Sequence, residues 1–246
     1  MTGERPGRKV RALAARFPEL GAVRYVEGNP PSPAAVVIAV LVVLTFSAGI
    51  VLGNGEPADA ALVAPWWVLI AAVILWFLGS EKVVVLERGL LIGSVAPFLT
   101  PFVVPFHRLD AASVTAYRPV WKLPQMVAGG VPLRQGRSTV WGWNGVAFVA
   151  SGVRATRAAV DSSGILGPGA LAGESLRPGV WWFGTWRRTD GLVRALEAAL
   201  ADAGAPGARG LAGRALPQVM LSGNPADAGA QLPGLLAAGG AGAGGA

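Results

Sequence analysis

Ala34–Leu52, AAVVIAVLVVLTFSAGIVL, and Leu62–Leu78, LVAPWWVLIAAVILWFL, are runs of nineteen and seventeen residues without a charge. At about 1.5 Å of rise per residue, helices over them would be roughly 28 and 26 Å long, close to a hydrocarbon core of about 30 Å. A helix pairs its own backbone N–H and C=O groups, which lipid cannot do, so a hairpin of two membrane-crossing helices is the expected form. The competing form, two buried helices in a water-soluble core, seldom presents two such runs in succession. Composition agrees with the first form: only 14 % of the 246 residues are charged, against roughly a quarter in ordinary soluble domains.

Charge asymmetry orients the hairpin. Residues 1–33 carry six basic and three acidic residues, net +3, whereas 53–61 carries Glu56 and Asp59 and no Lys or Arg. Lys and Arg near the ends of spans favour the cytoplasmic side, which predicts a cell membrane crossed twice with both termini cytoplasmic. Trp66, Trp67 and Trp76 suit interfacial anchors, and Pro65 would fall in the first turn of the second helix. A signal peptide ending near Ser47-Ala48-Gly49 is a second reading of the first run, although a 33-residue leader and nineteen apolar residues exceed the usual pattern. The expected division is 1–33, a basic cytoplasmic segment; 34–52, the first span; 53–61, an external loop; 62–78, the second span; 81–203, a cytoplasmic β domain; and 204–246, a disordered tail rich in Gly, Ala and Pro.

Outside the hairpin the patterns are shorter. Val10, Leu13, Ala14 and Phe17 recur at helical spacing with Arg8, Arg11 and Arg16 mostly off the stripe, which predicts either a basic amphipathic helix lying on a membrane surface or a frayed leader. Lys82–Leu86 and Leu90–Ile92 flank Glu87-Arg88-Gly89 and predict a tight hairpin with Gly89 in its strained position. Pro97, Pro101 and Pro105 confine 95–106 to a loop or short edge strand. Ala112–Tyr117 predicts a strand, 122–137 a long loop, and Asn144-Gly145 a second hairpin turn. Arg154–Val160 and Val180–Trp186 predict further strands. A helix then begins near Thr189 or Asp190, with Leu192, Val193, Leu196, Ala199 and Leu200 on one face and Gly204 at its end.

Several short strands closed by one amphipathic helix make a mainly-β domain. The segments EKVVVLERGLLIG, HRLDAASVTAY and WWFGTWRRTDGLVRALEAAL resemble the opening hairpin, a middle strand and the closing strand and helix of bacterial pleckstrin-homology-like (PH-like) domains. The resemblance covers roughly 81–203. It implies a PH-like barrel with a C-terminal helix behind a transmembrane hairpin, and carries no catalytic signature.

The chemistry available is narrow. There is no Cys and a single His, His107, so thiolate chemistry, zinc sites and His-based triads lack their parts. No phosphate-cradle motif occurs, and no cofactor is expected. An enzyme would need a polar pocket gathering His107, Asp161 and Glu174. Residues 81–203 hold thirteen basic and eight acidic residues, net +5; no nucleic-acid motif accompanies that charge. A basic domain tethered to the bilayer is expected to meet anionic lipid instead, through Arg8, Lys9, Arg11, Arg16, Arg134, Arg137, Arg187 and Arg188. The function read from the sequence is membrane-anchored binding or scaffolding, not catalysis, with a protein partner or a second copy able to pack on the hairpin. The alternative is a non-catalytic subunit of a transporter or cell-envelope complex.

Overall fold

The computed structural model describes residues 5–53, 56–94, 99, 101–128, 134–138, 141–154 and 178–240. They form two units. One is residues 30–80; the other joins 1–29 to 81–246.

The first unit is a helical hairpin. Helix α2 (Pro33–Leu52) is capped by the Ser32 hydroxyl, which accepts from the Ala35 N–H at 3.1 Å. Helix α3 (Pro57–Leu78) opens with the Glu56 N–H donating to the Asp59 carboxylate at 3.1 Å. It starts five residues before the apolar run, so the loop is shorter than expected and Pro65 is interior rather than in the first turn. Pro65 has no N–H to offer the carbonyl four residues back, a cost that neighbouring helix surface can absorb. Both helices are long and apolar enough to cross a membrane, and no residue in their most apolar windows is buried. Phe46 stacks on Trp67 with ring centroids 4.9 Å apart. An apolar groove of about 310 Å³ runs between Val36, Val40 and Val43 of α2 and Val68, Ala72 and Leu75 of α3.

The second unit is a mainly-β domain of two five-stranded sheets. Ahead of the hairpin it contributes helix α1 (Arg8–Ala14) and strand β1 (Val23–Gly28). After it come β2 (Glu81–Leu86), β3 (Gly89–Ser94), β4 (Phe102–Pro105), β5 (Leu109–Arg118), a short helix α4 (Leu123–Met126), β6 (Arg134–Arg137), β7 (Asn144–Ala150), β8 (Val153–Arg154) and β9 (Gly179–Thr185). Helix α5 (Asp190–Asp202) follows, then α6 (Leu211–Ala215), β10 (Val219–Met220), α7 (Ala228–Gln231) and α8 (Pro233–Gly240). The first sheet runs β1-β2-β3-β4-β8, antiparallel throughout. The second runs β10-β5-β7-β9-β6, with β10 and β6 added parallel at its edges.

Each sheet is covered on both faces. Between them lies a core of Val83, Val85, Ile92, Phe148, Trp181 and Phe183, joined by Leu192, Leu196 and Leu200 of α5. Val84, Leu86 and Leu91, on the other face of the first sheet, pack under Val10, Ala14, Phe17 and Leu20. The far face of the second sheet, including Tyr117, Ala147 and Val180, is covered by Leu123 and Met126 and by Leu221, Leu232 and Leu235. Two-sided burial is why VVVL, GVAFVA and VWWF read as near-continuous apolar runs rather than alternating ones.

Several expectations need correction. The domain does not start at residue 81: β1 pairs antiparallel with β2, Gly28 opposite Lys82, so the hairpin is inserted inside a pair of neighbouring strands. The apolar stripe of α1 is buried against the first sheet and is not free to enter a membrane. Residues 204–240 are not a disordered tail, because Leu221, Leu232 and Leu235 are anchored at 2 % exposure or less and Glu197 accepts from the Gly210 and Ala212 N–H groups. Asn144-Gly145 is no turn; both residues begin β7, and Gly145 is needed because a Cβ there would lie 2.6 Å from the Tyr117 ring. Gly89 keeps an ordinary φ, and its smallness matters instead, since a Cβ would meet the Val104 carbonyl at 2.9 Å. The 122–137 stretch holds α4 and β6 rather than only loop. Of the predicted strand 154–160, only Arg154 falls in a described element, β8.

Candidate membrane-facing site

The chain leaves the β domain after Asn29 and re-enters it at Glu81, and a ladder of hydrogen bonds organises that end. The Asn29 N–H donates to the Glu81 carbonyl at 3.2 Å. Asn29 is fully buried, and its side-chain oxygen accepts from the Trp141 indole N–H at 3.1 Å. The Thr185 hydroxyl reaches the Gly28 carbonyl at 3.5 Å. The Trp143 N–H donates to Thr185 and its carbonyl accepts from the Val120 N–H, both at 3.0 Å. The Asn144 amide donates to the Arg187 carbonyl at 2.9 Å. These bonds draw 120–122, 141–144 and 185–187, distant in sequence, to the end where both connections to the hairpin depart.

Aromatic rings are exposed there. Trp121 and Trp143 are 53 % and 46 % exposed and meet edge to face with centroids 4.7 Å apart. The Arg187 guanidinium lies 5.6 Å from the centre of the Trp186 ring. An indole is amphipathic, and exposed Trp beside Arg is the composition of a headgroup-level belt. The ladder that turns Trp143 outward is a long-range feature with no local signal in the sequence.

The basic candidates divide among several places. Arg8 and Lys9 join Arg5 and Lys82 around a cleft of about 290 Å³, floored by Val10 and Val26. Lys82 was missed because 73 residues separate it from Lys9 in the chain; the β1–β2 pairing and the seating of α1 bring them together. Arg11 and Arg16 are exposed on and just after α1. Arg134 and Arg137 bound β6, opposite Val180 and Phe183 of β9. Arg187 and Arg188 follow β9, and Arg188 pairs with Asp190 at 2.7 Å.

Arg137 is engaged inward. Its Nε is 3.7 Å from the Glu81 carboxylate and its guanidinium lies 5.1 Å from the centre of the Phe102 ring. Burial pushes the Glu81 carboxyl above the usual range, and Arg137 only partly offsets it. A carboxyl raised in the fold favours folding below its unfolded pKa, and that contribution is lost as pH rises through the folded value. Glu81→Gln is therefore expected to flatten the acid side of the stability profile and to raise the melting temperature slightly at pH 7. Thermal unfolding from pH 4 to 8 checks this; a variant that melts lower than wild type at pH 7 would show that the Arg137 pair outweighs burial.

His107 is exposed and its Nε2 lies 3.3 Å from Arg108 Nε. Partial desolvation by its neighbours, and then the charge of Arg108, lower its pKa. Asp161 and Glu174 lie outside the described residues. No group of three or more His, Asp or Glu able to hold a metal occurs among the described residues. No protein-family model matches this chain, and it matches no curated protein and no solved structure.

Proposed function

We propose that this is a two-span protein of the cell membrane whose β domain sits at the cytoplasmic leaflet and acts there as a binding or scaffolding module in contact with anionic lipid. The observation that carries the reading is the pairing of β1 with β2 across the inserted hairpin. With α2 and α3 across a bilayer, strands that hydrogen-bond to each other must lie on one side of it. The six Lys and Arg of residues 1–33, against none in 53–61, support the cytoplasm as that side. The departure end of the domain, with Trp121, Trp143 and Arg187, is the end that the chain joins directly to the two spans. Well-placed basic residues near an anionic leaflet contribute about 1 kcal/mol each.

Four antiparallel strands, then β5, β7 and β9, then α5 follow the order of a PH-like barrel with the hairpin in its first connection, which supports a PH-like assignment. Fold likeness does not supply a ligand, and the membrane-surface role rests on the residues named. The groove between α2 and α3 favours a second reading, a non-catalytic subunit packing a partner helix of an envelope or transport complex.

Two arms of one experiment test the proposal. Asp59→Cys should react with an impermeant maleimide in intact cells while Ser138→Cys should not, and the reverse pattern would overturn the orientation. In vesicles, amide exchange at 120–122, 141–144 and 185–188 should be slower with 30 % phosphatidylglycerol than with phosphatidylcholine alone, and the difference should fade as salt rises. Equal exchange in both would remove the anionic-lipid role.

A further inference from the structure

We propose that Met220 is a site of oxidative modification: its thioether takes up one oxygen atom from a peroxide, and Arg118 holds the sulfoxide that results. The chain has no Cys and three Met, so its sulfur chemistry is that of methionine alone. Met126, in α4, is 3 % exposed and packed in the cluster that covers the second sheet. Met1 lies outside the described residues. Met220, in β10, is 56 % exposed. Oxidation follows access to the sulfur, so a peroxide meets Met220 before Met126. In the step itself, a sulfur lone pair attacks one peroxide oxygen and the O–O bond breaks. The departing hydroxide takes the proton left on the transferred oxygen and leaves as water; the sulfur loses two electrons and the peroxide gains them.

The fold supplies a partner for the product. β10 runs parallel to β5 with Met220 opposite Arg118, and the Arg118 Nε–H donates to the Met220 sulfur at 2.8 Å. A thioether is a weak acceptor, whereas a sulfoxide oxygen is strongly negative, so the same guanidinium makes a charge-assisted bond to it. Arg118 is exposed like Met220, and both side chains have room to shift by the length of an S–O bond. The position matters because β10 is only two residues long. Directly after it the Leu221 N–H donates to the Arg118 carbonyl at 2.7 Å, and Leu221, 2 % exposed, is an anchor of the C-terminal cover. A short edge strand belongs to the part of a fold that opens most easily. One bond gained at Met220 therefore tightens the hold of 219–221 on β5. The reverse step is open to a reductase because the side chain is exposed: two thiols of the enzyme become a disulfide and the oxygen leaves as water.

The test uses the full chain in dodecyl maltoside and hydrogen peroxide as the oxidant. Peptide mass spectrometry should show Met220 gaining one oxygen about tenfold faster than Met126, and the two rates should converge once the chain is unfolded in guanidinium. In the oxidised chain, amide exchange at 219–222 should slow roughly tenfold, the scale of one charge-assisted hydrogen bond. It should recover when methionine sulfoxide reductases with dithiothreitol remove the oxygen. Arg118→Leu should leave the oxidation of Met220 in place and abolish the slowing. Met220→Leu keeps Arg118 and should exchange alike with and without peroxide, which excludes oxidation elsewhere as the cause. The inference is overturned if Met220 and Met126 oxidise at the same rate in the folded chain. It is equally overturned if oxidation leaves exchange at 219–222 unchanged or speeds it. None of these readouts involves lipid, so the membrane-surface reading stands or falls separately.

Discussion

Truncation after Gly204 is expected to destabilise the β domain by about 3 kcal/mol or more and to expose an aggregation-prone face. The composition of 205–240 suggests the opposite, but Leu221, Leu232 and Leu235 cover Tyr117, Ala147 and Val180 on the second sheet. Fully burying a leucine is worth about 1.5–3 kcal/mol, and part of that sum is offset by the entropy released when the segment is removed. Chemical denaturation of the full chain and of the truncated chain in the same detergent measures the difference. Superimposable curves would show that the segment is not part of the core. Leu235→Ala, at about 2–4 kcal/mol, localises the effect to one contact.

A chain lacking residues 1–29 keeps both spans and is expected to lose the fold of the β domain altogether. The deletion strips β1 from β2 and removes Phe17, Leu20, Tyr25 and Val26, each 7 % exposed or less. It also unpairs the Leu20 carbonyl from the Arg88 N–H, a 3.0 Å bond that pins the β2–β3 turn. Folded domains hold only about 5–15 kcal/mol in reserve, less than the loss of a strand and four large core side chains. Amide exchange at Val83–Leu86 reports it: protection equal to that of the full chain would mean that the N-terminal segment only decorates the domain.

The parts legible from the sequence are those whose signals are local. The two apolar runs, the helix with Leu192, Leu196 and Leu200, and the strands around Val83, Val114, Val146 and Trp181 could be read within windows of ten to twenty residues. What escaped depends on partners far along the chain. β1 is only VRYVEG, and nothing local says that its neighbour lies beyond fifty residues of hairpin. The Gly- and Ala-rich C-terminal segment hid three leucine anchors because the face they cover, Tyr117, Ala147 and Val180, lies roughly forty to one hundred and twenty residues upstream. One signal was present: strands such as GVAFVA carry no polar alternation, and a strand without a wet face needs a cover on each side. The candidate site divides in the same way. Arg8 and Lys9 were legible as members of a basic N-terminal segment; Lys82, Trp121 and Trp143 acquire their place only through pairing and the ladder at the departure end.

The insertion of the hairpin between β1 and β2 also bears on synthesis. Residues 1–29 leave the ribosome before their partner strand exists, and at roughly 5–20 residues per second the wait for Glu81 lasts several seconds. During that time Phe17, Tyr25 and Val26 have nothing to pack against. Under the proposed topology, a chain that threads only one of its helices strands β1 and β2 on opposite sides of the bilayer, where they can never pair. An insertion error thus becomes a folding error, and proteases that remove unfolded domains would clear mis-threaded copies without having to recognise topology at all.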